Sequence, residues 1–105
     1  MHKIWIADDD QAIRLILEES LESAGFTTKL FSTGEELVKE LETEKPDVVI
    51  TDVQMPGMLG YDVLKHIENN YDDLPVIVMT AFADMQAAVE AFGGGAFEYI
   101  TKPFD

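Results

Sequence analysis

The chain has 105 residues, which is enough for one domain with a single hydrophobic core. Its 21 acidic and 7 basic side chains give a net charge of -14, and such a surface repels phosphate backbones, which argues against direct nucleic-acid binding. The absence of cysteine excludes disulfides, thiolate metal sites and cysteine nucleophiles, and makes a cytoplasmic location the default expectation. No apolar run approaches the roughly 20 residues that cross a bilayer, so we expect no membrane contact.

The first half of the chain predicts two strands, each followed by a helix. Residues 3–7 form an apolar run that stops at Asp8, and residues 11–24 carry apolar side chains at helical spacing behind Asp10, a suitable N-cap. Residues 26–31 form a more polar strand, which suits the edge of a sheet. Thr33 and Glu36 have the spacing of a capping box and open the second helix.

The middle of the chain contains its most apolar strand. Residues 48–52 have no helical stripe and follow a break at Pro46, so they predict a strand buried on both faces that ends at Asp52. A loop at residues 55–57 follows, and then Val63, Leu64 and Ile67 indicate a third helix.

The last third predicts a strand, a helix and a strand. Residues 76–79 are apolar and end at Thr80, and Asp84 can cap a short alanine-rich helix that stops at the glycines of residues 93–95. Residues 97–100 predict the fifth strand, which leads to Lys102. We interpret Phe92 and Phe97 as ordinary core aromatics.

Five strands that alternate with four helices are typical of a parallel α/β sheet. With right-handed crossovers and strand order 2-1-3-4-5, three helices cover one face and the first helix alone covers the other. The chain stops at Asp105, where a fifth helix is expected. We therefore expect the natural protein to continue, or another chain to cover that face.

Polar residues follow the carboxyl ends of four strands and should meet at one edge of the sheet: Asp8, Asp9, Asp10, Asp52, Thr80 and Lys102. Clustered carboxylates repel one another unless a cation or proton intervenes, and oxygen ligands suit Mg²⁺. A hydroxyl and an ammonium bind phosphate. Taken singly, each residue has an ordinary structural explanation, but together they indicate phosphoryl transfer with a carboxylate as a candidate nucleophile.

These residues resemble the receiver domain of two-component response regulators, whose fold is flavodoxin-like (CheY-like) and doubly wound. The matching segments are Asp8-Asp9, Thr51-Asp52-Val53-Gln54-Met55-Pro56-Gly57, Thr80-Ala81, Tyr99 and Lys102-Pro103. The resemblance covers the whole chain in order. Trp5, the Ala-Phe-Glu-Tyr segment and Lys-Pro-Phe-Asp are most similar to receivers of NtrC-type enhancer-binding activators.

The resemblance implies that a histidine kinase phosphorylates Asp52. It implies that Asp9, Asp52 and the backbone carbonyl of Gln54 bind Mg²⁺ directly, with Mn²⁺ as a substitute, while Asp8 acts through water. Lys102 and Thr80 would bind the phosphoryl oxygens, and Tyr99 would be the switch aromatic.

The resemblance also implies an output domain or downstream protein, with transcription regulation as the outcome. The domain would assist its own phosphorylation and dephosphorylation without being a true enzyme. The resemblance allows the domain to form a homodimer. It also implies a cis peptide bond between Lys102 and Pro103. The family tunes hydrolysis of the acyl phosphate at positions that here hold Gln54 and Phe82. Because Phe82 is bulky and apolar, it positions no water, so we expect slow to moderate autodephosphorylation.

Two other classes of protein remain as alternatives. An aspartate-nucleophile phosphatase of the haloacid dehalogenase kind would use Asp8, but the chain has no cap domain and Asp52 would be unexplained. A flavodoxin-like cofactor binder is disfavoured because a carboxylate-lined edge repels a flavin phosphate.

Overall fold

Five strands and four helices alternate along the chain in the computed structural model, which describes residues 2–102. The strands are Lys3–Ala7 (β1), Thr27–Phe31 (β2), Val48–Asp52 (β3), Val76–Thr80 (β4) and Glu98–Thr101 (β5). The helices are Gln11–Ser23 (α1), Gly34–Glu40 (α2), Gly60–Asn70 (α3) and Met85–Phe92 (α4), with a 3₁₀ turn at Phe82–Asp84. No helix in this part of the chain is long and apolar enough to cross a membrane.

All five strands are parallel and form one sheet in the order β2-β1-β3-β4-β5, as predicted. The face toward α2, α3 and α4 is the larger core layer, built from residues that include Trp5, Val49, Val78 and Leu64. The opposite face packs against α1 through Ile4, Ile6, Ile13, Ile50 and Met79. Because both faces of the central strands are buried, their sequences are apolar up to the residue at which each strand ends, apart from Lys3 at the start of β1 and the buried Thr51.

Local capping hydrogen bonds fix where α1 and α2 begin. Asp10 accepts a hydrogen bond from the Ala12 backbone at 2.9 Å, and Thr33 accepts one from the Glu36 backbone at 3.2 Å, as predicted. Asp84 occupies the N-cap position of α4, but its side chain makes no capping hydrogen bond. The prediction that Asp84 lies at the start of α4 is confirmed, but its side chain does not cap the helix.

One predicted core residue lies outside the core. Phe92 is buried, but Phe97 is 74% exposed, so the interpretation of Phe97 as a core aromatic is wrong. β5 begins at Glu98, and Phe97 therefore precedes the strand in a loop after the end of α4. On the face toward α1, Ile77 and Ile100 are half-buried.

Candidate functional site

The acidic segment after β1 is held rigidly by hydrogen bonds. Asp8 is fully buried, whereas Asp9 and Asp10 are exposed. The Asp10 backbone N–H donates to Asp8 Oδ1 at 2.9 Å, and Arg14 Nη1 donates to the Asp8 backbone carbonyl at 2.6 Å. The Asp8 backbone N–H donates to Phe31 at the end of β2. These contacts hold the Asp8 side chain in one position beside the end of β3.

Asp52 is the last residue of β3 and is buried beside Asp8. Its Oδ1 accepts a hydrogen bond from the Val53 backbone at 2.9 Å, and Lys102 Nζ lies 3.4 Å from its Oδ2. The same ammonium lies 3.8 Å from Asp8 Oδ2. One carboxylate oxygen from each of Asp8, Asp9 and Asp52 lies within 4.8 Å of the others. The structure thus brings three of the four predicted carboxylates and the predicted lysine together, whereas the Asp10 side chain caps α1.

Burial and mutual repulsion shift the proton affinities of this cluster. Burial, followed by the charge of Asp8, raises the pKa of Asp52 to about 6, and Lys102 opposes the shift. Burial also raises the pKa of Asp8, against the hydrogen bond from the Asp10 backbone and the charge of Lys102. A single ammonium therefore leaves two buried carboxyl groups under-neutralised.

The donor set fits a divalent cation that prefers oxygen ligands. Among the described residues, Asp8 Oδ2 is the one buried side-chain oxygen without a hydrogen-bond partner. An unpaired buried carboxylate oxygen is costly unless it binds a cation. Three convergent carboxylates match Mg²⁺ or Mn²⁺, and neither thiolate nor imidazole is part of the cluster.

An open cleft of about 550 Å³ lies over Asp52. Its lining includes the predicted site residues Asp9, Asp52, Gln54, Thr80 and Lys102. The lining also includes residues that the sequence analysis did not assign to the site: Val53, Leu59, Ala81, Asp84, Ala87, Ala88 and Ala91. The small alanine side chains of α4 were visible in the sequence, but their orientation toward Asp52 depends on how α4 packs.

The lining of this cleft does not include Asp8, which is fully buried beneath it, nor Tyr99 or Phe82. Tyr99 is half-buried on the α4 side of the sheet, where its hydroxyl donates to the Gly93 carbonyl at 2.8 Å and its ring packs edge-on against Phe92. Phe82 is 77% exposed and is not part of the cleft lining. The bond between Lys102 and Pro103, expected to be cis, lies outside the described residues.

Gly60 is the first residue of α3 and lies directly against the end of β3. A Cβ at this position would collide with the Asp52 backbone carbonyl. We therefore expect Gly60→Ala to lower the free energy of unfolding by about 1–3 kcal/mol, because the strand end or α3 must shift. Gly94→Ala is the matched control, since a Cβ there meets nothing within 4 Å. Equal urea midpoints for the two variants would contradict this packing.

The comparison with protein families identifies the class of this chain. The family model "Response regulator receiver domain" matches residues 4–105. The chain therefore belongs to the receiver domains of two-component response regulators. The phosphatase alternative that used Asp8 is not supported.

Within this family the chain is similar to NtrC-type regulators, as the sequence resemblance indicated. It is 47% identical over 102 residues to the DNA-binding transcriptional regulator NtrC of Escherichia coli (strain K12), covering 97% of this chain and 22% of that protein. The apo receiver domain of nitrogen regulatory protein C superposes with a TM-score of 0.85 at 46% identity, covering 99% of this chain and 84% of that one. The chain thus spans about a fifth of the length of the curated relatives it matches.

A third relative bears on the cation. The response regulator TrrA of Thermotoga maritima, solved in complex with Mg²⁺ and a beryllium fluoride, has a TM-score of 0.88 at 31% identity, covering 100% of this chain and 90% of that chain. This chain therefore has the same fold as TrrA, whose structure contains Mg²⁺.

Proposed function

We propose that this domain acts as a signalling switch by accepting a phosphoryl group on Asp52 from a sensor histidine kinase. The observation that carries the proposal is the trio of carboxylates within 4.8 Å of one another, beside Lys102 and at the edge of a cleft that Thr80 also lines. This set supplies a nucleophile, a cation site and phosphate-binding groups in one place.

Asp8, Asp9 and Asp52 would hold Mg²⁺ or Mn²⁺ together with the backbone carbonyl of Gln54. Asp9 and Asp52 would contact the ion directly, and Asp8 would act through water. When bound, the ion neutralises charge on the phosphoryl oxygens. The Oδ2 of Asp8, which accepts no hydrogen bond, and the raised pKa of Asp52 both support a cation at this position.

The Asp52 carboxylate would be the nucleophile. One of its oxygens forms a bond to phosphorus while the bond between phosphorus and the kinase imidazole breaks; the imidazole nitrogen keeps the electron pair and takes up a proton. The product on Asp52 is an acyl phosphate. With a pKa of about 6, Asp52 is mostly ionised at pH 7 and available for this attack.

Lys102 and Thr80 would bind the transferred group. The Lys102 ammonium faces Asp52 Oδ2, which places a positive charge where phosphoryl oxygens arrive. Thr80 is buried at the end of β4 and lines the cleft, so its hydroxyl can close onto a phosphoryl oxygen. Both residues therefore act on the same phosphoryl group.

Tyr99 would carry the signal to α4. Its hydroxyl is bonded to the Gly93 carbonyl, directly after the last residue of α4. If movement of Thr80 lets Tyr99 turn inward, that hydrogen bond breaks and the end of α4 is released. Phosphorylation would in this way reshape the surface formed by α4 and β5.

The partners of the switch follow from its relatives. We propose that it regulates an output domain or a downstream protein in transcription, since its relative NtrC is a DNA-binding transcriptional regulator. The strongly acidic segment would not itself bind DNA. We also propose that the switch controls formation of a homodimer. A cytoplasmic location agrees with the absence of cysteine.

Acetyl phosphate provides a kinase-free test. Incubation with acetyl phosphate and Mg²⁺ should add one phosphoryl group to the intact protein, as measured by mass spectrometry. The domain would then be assisting its own phosphorylation. Excess EDTA should reduce the modified fraction sharply. Equal modification with and without Mg²⁺ would contradict the cation site.

The lifetime of the acyl phosphate tests the role of the position held by Phe82. We expect the phosphorylated domain to persist for minutes or longer after the phosphodonor is removed, because an apolar side chain positions no attacking water. The measurement is the decay of the phosphorylated mass with time. A lifetime of seconds would contradict the expectation.

A further inference from the structure

A second, larger groove lies where β4 and β5 begin, at the end of the strands opposite to Asp52. It has a volume of about 820 Å³ and is open to solvent. The end of α3 and the loops before β4 and β5 enclose it, through Leu64, Ile67, Tyr71, Pro75 and Phe97 among others. Grooves of this size are where proteins bind ligands and peptide segments. No step of phosphoryl transfer uses this one.

Phe97 forms one wall of the groove and is unusually exposed. Its side chain is 74% accessible, yet its backbone N–H donates to the Val76 carbonyl at 2.8 Å. The exposed ring therefore belongs to a residue whose backbone is hydrogen-bonded to β4. A fixed, exposed aromatic beside a groove is a feature of interaction surfaces, since burying it on binding costs little ordering of the chain.

All charged side chains that line the groove are acidic. Glu68, Asp72 and Asp73 belong to its lining, and no residue of that lining is Lys, Arg or His. Lys65 pairs with Glu68 at 3.2 Å but is not part of the lining. A Cβ at Gly95 would collide with the Glu68 carboxylate, so the glycine admits this carboxylate against the wall of the groove. The groove therefore combines apolar contact area with three carboxylates.

We propose that this groove binds an extended peptide segment of a partner protein that carries an apolar anchor residue next to Lys or Arg. The anchor packs against Phe97 and Tyr71. The basic side chains pair chiefly with Asp72 and Asp73, since Glu68 is already paired with Lys65. A second copy of this chain fits poorly, because its net charge of -14 opposes an acidic surface. Anionic ligands are repelled for the same reason.

A defined probe tests the proposal on the unphosphorylated 105-residue chain in EDTA, so that the result is independent of Asp52. The probe is a short synthetic peptide of alternating leucine and lysine, and its counterpart has glutamate in place of lysine. Backbone NMR titration should show saturable shifts at residues 71–76 and 94–97 for the lysine peptide. The glutamate peptide should cause none.

Matched variants separate a groove from general attraction to an acidic protein. Phe97→Ser should weaken binding of the lysine peptide about tenfold, as expected for loss of an aromatic anchor. Phe82→Ser, which removes an equally exposed phenylalanine outside the groove, should leave it unchanged. Asp72→Asn combined with Asp73→Asn should weaken binding, whereas Glu18→Gln combined with Glu19→Gln, on α1, should not.

Three outcomes would overturn the proposal. The shifts could spread over the acidic faces of α1 and α2, or Phe97→Ser and Phe82→Ser could bind equally well. Alternatively, sedimentation of the wild type could show a dimer that Phe97→Ser dissociates, in which case a second copy occupies the groove. Because Phe97 is exposed, its replacement should leave the fold intact, and unchanged NMR shifts at Asp52 check this.

Discussion

Replacing Asp52 with Asn should abolish phosphorylation by acetyl phosphate and at the same time stabilise the domain. The first effect follows because an amide cannot form the acyl phosphate. The second follows because burial and the charge of Asp8 raise the pKa of Asp52 from 3.8 to about 6. At about 1.4 kcal/mol per pKa unit, ionised Asp52 costs the fold about 3 kcal/mol at pH 7. Asn removes that charge with little change in shape.

The two effects are measured separately. Intact-mass analysis after incubation with acetyl phosphate and Mg²⁺ should show no modified Asp52→Asn protein. Urea unfolding in EDTA at pH 7 should show a higher free energy of unfolding than the wild type. The control is Asp73→Asn, which is distant and exposed and should change neither quantity. A destabilised Asp52→Asn protein would contradict the electrostatic account of the site.

The stability of the wild type should fall as the pH rises from about 4 to about 6 in the absence of divalent cations. In this range Asp52 keeps its proton in the folded state but loses it in the unfolded chain, because its folded pKa is the higher one. The folded state therefore binds more protons, and stability decreases with pH until both states are ionised. The raised pKa of Asp8 acts in the same direction. Glu36, Glu44 and Asp47 have lowered pKa values and act oppositely at lower pH, but they are weakly buried.

Mg²⁺ should restore most of the stability that the domain loses when Asp52 is ionised at pH 7. A cation that binds only the folded state adds about 2.7 kcal/mol at 100 times its dissociation constant. Urea unfolding across the pH range, with EDTA or with excess Mg²⁺, measures the effect. Asp52→Asn should show a flatter pH profile and a smaller response to Mg²⁺. A wild-type profile that is flat or rises between pH 4 and 6 in EDTA would exclude the proposed pKa shifts.

Much of the site could be predicted because it depends on strand ends and local signals. Asp8 and Asp52 end mainly apolar runs, and parallel strands place such ends at one edge of the sheet. Asp10 and Thr33 cap helices through contacts within a few residues. These features depend on nearby sequence and on the rules of α/β topology, so they follow from the chain alone.

Other features depend on packing between distant elements. The exposure of Phe97 follows from β5 beginning one residue later than expected. Asp84 ends the 3₁₀ turn before α4 and lines the cleft, and its side chain makes no capping hydrogen bond to α4. The hydrogen bond from Tyr99 to Gly93 joins a strand to a helix end. Apolar periodicity does not specify contacts of this kind.

The central claim is that Asp52, and not another carboxylate of the cluster, receives the phosphoryl group. Phosphorylation with acetyl phosphate and Mg²⁺, reduction with tritiated borohydride and peptide sequencing locate the acyl phosphate directly. The account predicts tritiated homoserine at position 52 and none at position 8. Label at position 8, or no label at either position, would contradict it.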